Sequence, residues 1–97
     1  MINNQSLSSG EEMLYNFLSN HMDDGALIVD QSILSSELNV SERTIRRYLD
    51  RLEDKSLIKK IHVLGTVHAY TTRPEFLFSS GNKDLLKLKT NIILSSV

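Results

Sequence analysis

The chain has no cysteine and no tryptophan, a single proline and only four glycines among 97 residues. Without cysteine there can be no disulfide, no thiol nucleophile and no thiolate set for a structural zinc. With so little proline and glycine, no low-complexity run and no internal repeat, the composition is that of a folded chain rather than a linker. Long apolar runs are also missing: no stretch of about 18 apolar residues suggests a membrane span. No basic start leads into an apolar segment, so no signal peptide is indicated and a cytoplasmic location is expected. Gly-x-Ser-x-Gly elbows, phosphate-cradling glycine loops and paired carboxylates are absent, so catalysis is not expected. A chain of this length forms one domain with a modest core. That leaves scant room for a small-molecule pocket, and no cofactor is expected.

Positive charge is missing from one half of the chain. Met1 to Glu42 contains no Lys or Arg, while Glu11, Glu12, Asp23, Asp24, Asp30, Glu37 and Glu42 are acidic. All 11 Lys and Arg lie downstream, against Asp50, Glu53, Asp54, Glu75 and Asp84. The net charge of −1 therefore hides a split, and such asymmetry suggests one face built for an anionic partner.

The pattern predicts alternating short elements. Residues 1–8 are polar and expected to be flexible. Ser9 and Glu12 have the spacing of a capping box, and Met13, Leu14, Phe17, Leu18 and Met22 follow on one helical face. Ala26 to Val29 reads as a short strand that pairs with a later hairpin. Asp30 is a good N-cap for a brief helix through Leu38, with Ile33, Leu34 and Leu38 facing one way. Asn39 can adopt the left-handed conformation that stops a helix, Val40 plugs the core, and Ser41 caps the next helix. Two short helices joined by so tight a turn have helix-turn-helix geometry.

The helix over residues 41–53 is the most informative element. At 100° per residue, Ile45, Tyr48, Leu49 and Leu52 fall on one side, with Arg43 and Arg47 opposite and Thr44, Arg46 and Arg51 flanking. The apolar side explains docking; folding does not require the arginines. Asp50 is placed to pair with Arg46 or Arg47, and Glu53 with neither. After the break at Asp54-Lys55-Ser56, residues 57–64 and 67–72 read as strands joined at Gly65-Thr66. This hairpin is a wing with Lys59 and Lys60 at its base and an uncharged tip. Residues 9–74 thus form the domain. Residues 75–97 form an extension in which Leu85, Leu88 and Ile92, with Leu86, Ile93 and Val97 beside them, predict a helix starting near Lys83. This helix packs either on a second copy or on its own first helix.

The run Leu38-Asn39-Val40-Ser41, Thr44-Ile45, Arg47, Leu49, Leu52-Glu53 and Leu57-Ile58-Lys59 resembles the signature of bacterial winged helix-turn-helix regulators, over about the middle third of the chain. The resemblance implies that Ser41 and Thr44 contact phosphate and that Arg43, Arg46 and Arg47 approach bases. Ala69-Tyr70-Thr71-Thr72-Arg73-Pro74-Glu75-Phe76-Leu77-Phe78 is similar to the end of plasmid replication proteins of the RepL class, although Arg73 stands where those proteins have asparagine.

The fold class expected is α+β, mainly α: a three-helix core, a β-hairpin wing and a helical extension. The function expected is sequence-specific binding of double-stranded DNA by a small transcriptional regulator acting as a homodimer. Arg51, Lys59 and Lys60 would neutralise phosphates. A plasmid replication or partition protein, and a winged helix turned to protein binding, are the alternatives. His62 and His68 can face each other across the hairpin, but structural zinc takes four ligands, so no metal is expected.

Overall fold

The computed structural model describes residues 7–22, 25–72 and 90–93. Three helices and four strands follow in the order α1 (Ser9–Met22), β1 (Ala26–Asp30), α2 (Gln31–Leu38), α3 (Glu42–Asp54), β2 (Lys59–Leu64), β3 (Val67–Thr71) and β4 (Thr90–Ile93). This is a winged helix-turn-helix, mainly helical, as the pattern predicts.

Helix α1 is stopped at its N-terminus by a capping box one residue earlier than expected. The Ser8 hydroxyl oxygen accepts from the Glu11 N–H, and the Glu11 carboxylate accepts from the Ser8 N–H, both at 3.2 Å. Two overlapping Ser-x-x-Glu pairs exist here, and only the first puts its glutamate on the stripe of Leu14, Leu18 and Met22 that faces the core. Glu11 is thereby 5% exposed. Its charge is balanced by Arg51 of α3, whose Nε lies 3.4 Å from the carboxylate. Met13, expected on the packed face, sits one residue before Leu14 and so about 100° around the helix; it is 45% exposed.

Gly10 has a different task. A Cβ at this position would stand 2.8 Å from Cε2 of Tyr48 and nearer still to its Cζ and hydroxyl. The missing side chain lets the first turn of α1 rest on the aromatic ring of α3.

The turn between α2 and α3 follows from three side chains. Asp30, extended at φ −79 and ψ 136, accepts the Ser32 N–H and starts α2. Asn39 is left-handed at φ 58 and ψ 45, with its N–H directed to the carbonyls of Ser35 and Ser36. Val40 N–H then bonds to Ser35 O at 3.1 Å, so the last carbonyls of α2 are satisfied as in a Schellman-type stop. Ser41 accepts the Thr44 N–H and starts α3.

Leu14, Leu18 and Met22 of α1, Ile33 and Leu34 of α2, and Ile45, Leu49 and Leu52 of α3 close on Leu27, Val29, Ile58 and Tyr70 to form one core. Complete burial of a leucine or isoleucine contributes about 1.5–3 kcal/mol. The fixed attitude of α3 therefore comes from its apolar side, which leaves the other side free for a different task. Leu7, Val40, Tyr48 and Leu57 pack around the margin of this core.

The sheet order is β2-β3-β1-β4. β1 and β2 each run antiparallel to β3, and β4 runs parallel to β1. The pairing of β1 with the hairpin agrees with expectation. β4 corrects it, because the helical spacing that included Ile92 and Ile93 gives way to a strand over Thr90–Ile93. Here alternation wins over the 3.6 period: Ile93 packs against the core while Ile92 points the other way and is 60% exposed. The remainder of the expected helix, residues 83–89 and 94–97, lies outside the described residues.

Candidate nucleic-acid interface

The side of α3 opposite Ile45, Leu49 and Leu52 carries Arg43, Arg46 and Arg47, all exposed. None of the three side chains forms an ion pair or hydrogen bond with another described residue. The carboxylate expected to neutralise them is engaged elsewhere: Asp50 pairs with Lys60 of β2 at 3.1 Å rather than with Arg46 or Arg47. Glu53, placed by helix geometry beyond reach of the arginines, turns to the wing. It accepts the Lys60 N–H at 3.3 Å and lies 3.9 Å from Lys59 Nζ.

At the start of α3, Ser41 Oγ accepts the Thr44 N–H at 3.1 Å and donates to Thr44 Oγ1 at 3.0 Å. Both hydroxyls thus stand at the positive end of the helix, where exposed amide groups and the helix dipole favour an anion. The geometry joins Ser41, Arg43, Thr44, Arg46 and Arg47 on one projecting element. Arg51, Lys59 and Lys60 are different. They meet Glu11, Glu53 and Asp50 respectively; the Lys59 and Lys60 pairs are partly exposed, of the kind that contributes about 0–1 kcal/mol, whereas the Glu11 carboxylate beside Arg51 is buried.

The wing is anchored to the start of α2. Thr66, in the turn between β2 and β3, donates its hydroxyl to Asp30 Oδ1 at 2.8 Å, and its carbonyl accepts the Gln31 N–H at 3.0 Å. Gly65 supplies the left-handed residue of the turn at φ 58. A register shift between His62 and Leu64 bends β2 next to the turn. His62 and His68 are directly paired across the hairpin, with ring centroids 5.3 Å apart. Among the described residues, no third His, Cys, Asp or Glu joins them in a group able to hold a metal ion.

Three titratable groups in this region are displaced from their ordinary values. The Ser32 N–H first, and then the Thr66 hydroxyl, hold the Asp30 carboxyl below the usual range. His68 is held below the usual imidazole range mainly by partial burial, with the charges of Lys60 and His62 adding to the effect. Burial pushes the Tyr70 phenol up.

The sequence pattern identifies the arginine face and both helix caps. It misses the Asp30–Thr66 bond, for which a lone threonine in a turn gives no signal, and the buried role of Glu11. That second feature was available as an alternative reading of Ser-Ser-Gly-Glu-Glu. Of the run that carries the likeness to replication proteins, Ala69 to Phe78, the part from Arg73 to Phe78 lies outside the described residues.

Among the described residues no helix is long and apolar enough to cross a membrane. No curated protein and no solved structure matches the chain. A family model described as a helix-turn-helix domain matches residues 5–58, which is more than half of the chain and includes α1, β1, α2 and α3 in full. The chain therefore belongs to the helix-turn-helix domain family, a DNA-binding module.

Proposed function

We propose that this protein is a sequence-specific binder of double-stranded DNA, a small transcriptional regulator that inserts α3 in the major groove and lays the wing on the flanking backbone. The observation that carries this reading is the set of three exposed arginines, Arg43, Arg46 and Arg47, that lack a carboxylate partner among the described residues on a helix held by its opposite face. Guanidinium groups match the O6 and N7 acceptors of guanine bidentately, the commonest specific contact in the major groove. Ser41 and Thr44 at the N-terminus of α3 fix its register on phosphate, and Arg51, Lys59 and Lys60 give up their carboxylates to phosphates as the protein docks. The reading includes a two-fold dimer, since one short helix reads only a few base pairs and a symmetric pair doubles the site.

Selection from a random duplex pool, run for the wild type and for an Arg43→Ala, Arg47→Ala double variant, tests the proposal. The expected result is an inverted repeat with half-sites about one helical turn, or a multiple, apart, which the double variant loses. Recovery of tandem direct repeats would instead indicate a replication or partition protein that covers an array. Absence of binding even at low salt would turn the arginine face over to a protein partner.

A further inference from the structure

The wing has no cation left at its outer end. Lys59 and Lys60 at its base meet Glu53 and Asp50, and Val63, Leu64, Gly65 and Thr66 at the tip are uncharged. Between base and tip stand His62 and His68. We propose that this histidine pair is a binding site for a backbone phosphate of duplex DNA, engaged when the two imidazoles carry protons. The proposal rests on the DNA-binding reading above and extends it to the wing.

Position is the first argument. Alternation along β2 and β3 puts Lys60, His62, His68 and Tyr70 on one side of the hairpin, because Lys60 pairs with Tyr70 and His62 with His68. Tyr70 is buried in the core on that side, and Lys60 reaches across from it to Asp50 on α3. The histidines therefore continue, toward the tip, the side of the wing that meets the recognition helix.

Hydrogen bonding is the second. His62 Nε2 lies 3.1 Å from Gly65 O, and His68 Nδ1 lies 3.3 Å from Thr66 O. A carbonyl can only accept, so each of these nitrogens carries a hydrogen. The other nitrogen of each ring is then a bare lone pair in the neutral state, which disfavours a phosphate oxygen. A proton on His62 Nδ1 and on His68 Nε2 turns both into donors and adds two positive charges, the pattern that a phosphodiester accepts.

The surrounding charges are the third. Asp30 faces the turn from β1, but its Oδ1 is held by the Ser32 N–H and the Thr66 hydroxyl. Asp50 and Glu53, on α3, are engaged by Lys60 and Lys59. Tyr70 stacks beside His68 at 6.1 Å and stays neutral. Neither imidazole has an ion pair with a described carboxylate. Protons on both rings repel each other and Lys60, and an external phosphate removes that repulsion. Affinity for DNA and protonation of the pair thus rise together.

The experiment measures binding of a mixed-sequence duplex by fluorescence anisotropy over a salt series near pH 6 and near pH 8, on either side of the ordinary imidazole range. Three proteins are compared: wild type, His62→Gln with His68→Gln, and Arg43→Ala with Arg47→Ala. The wild type should bind several-fold more tightly at the lower pH, with a salt slope steeper by about 0.9 for one additional phosphate contact. The glutamine variant should bind alike at both pH values, and the arginine variant should bind more weakly at both while keeping the pH response. An equal pH response in wild type and glutamine variant overturns the proposal and leaves the DNA-binding reading standing. Failure of the wild type to bind at either pH overturns both. Should the glutamine variant lose its fold by circular dichroism, the imidazole C2 protons of the wild type decide. Titration midpoints of both rings that rise on addition of duplex support the site; unchanged midpoints overturn it.

Discussion

Asp30 and Thr66 couple the start of the helix-turn-helix to the tip of the wing: one carboxylate oxygen accepts the Ser32 N–H at 2.9 Å and the Thr66 hydroxyl at 2.8 Å. The end of β1, the first turn of α2 and the β2–β3 turn are thereby one assembly, and the wing keeps a fixed attitude to α3.

Asp30→Ala removes both bonds and should destabilise the protein by about 1–2 kcal/mol at neutral pH, the range for loss of an N-cap. The pH dependence has a definite sign. Bound to the Ser32 N–H and the Thr66 hydroxyl, the carboxyl titrates below its ordinary 3.8. A carboxyl with a lowered folded-state pKa contributes stability above its unfolded value and loses it as the pH falls through the folded value. The gap between wild type and Asp30→Ala in urea unfolding should be constant near neutrality and narrow below pH 3.8. A gap that stays constant into strong acid would show that the charge on Asp30 contributes nothing.

Local rules made the helix-turn-helix legible because its turns are written in single residues. Asp30, Asn39 and Ser41 each have one good conformational use, and the structure gives each of them that use. Long-range polar bonds were less legible. The α1 capping box has two Ser-x-x-Glu registers, and the one adopted sets Glu11 against Arg51, 40 residues on in the chain; nothing near Thr66 reveals that its partner is 36 residues away. Asp50 shows the same limit, since helix spacing offered it two arginines and the strand beside it supplied Lys60. At Ile92 and Ile93 the failure was of another kind: apolar residues two to four apart fit both periods, and only the open edge of β1 decides for a strand.

Gly10→Ala separates helix propensity from packing. In an open helix the change stabilises by about 0.5–1 kcal/mol. Here the added methyl falls on the ring of Tyr48, and overpacking of this kind costs about 1–3 kcal/mol. The substitution should therefore destabilise the wild type, whereas in a Tyr48→Ala background it should stabilise. Urea midpoints for the four proteins of this cycle measure the coupling. The same sign in both backgrounds would mean that the ring moves aside freely.

Arg47→Ala tests whether the arginine face reads bases. Arg47 is exposed and unpaired among the described residues, so its removal should leave stability within about 0.5 kcal/mol. If it grips a guanine, the variant should lose about 1–3 kcal/mol of affinity for the selected site and relax the preference at one base pair. A uniform loss across all duplexes would assign it to phosphate instead.

Glu11 and Asp50 hold two cations, Arg51 and Lys60, that the DNA-binding reading assigns to phosphate, and this makes an opposite pair of predictions. Asp50 is exposed, so Asp50→Asn should leave the fold intact and release Lys60. Duplex affinity should then increase with the salt slope little changed, because Lys60 meets the same phosphate without first leaving a carboxylate. Glu11→Gln should also free its cation, but at a cost to stability. Glu11 is buried on the inner face of α1, and although a glutamine oxygen can still accept the Ser8 N–H of the capping box, the neutral amide loses the ion pair with Arg51 that ties α1 to α3. Anisotropy titrations and urea unfolding on both variants separate the two effects. Tighter binding with unchanged stability for Asp50→Asn, and tighter binding with reduced stability for Glu11→Gln, would establish that carboxylates on α1 and α3 restrain the affinity of the cations beside them. Weaker binding by Asp50→Asn would mean that the Asp50–Lys60 pair is needed to hold the wing against α3, and that Lys60 acts through position rather than charge.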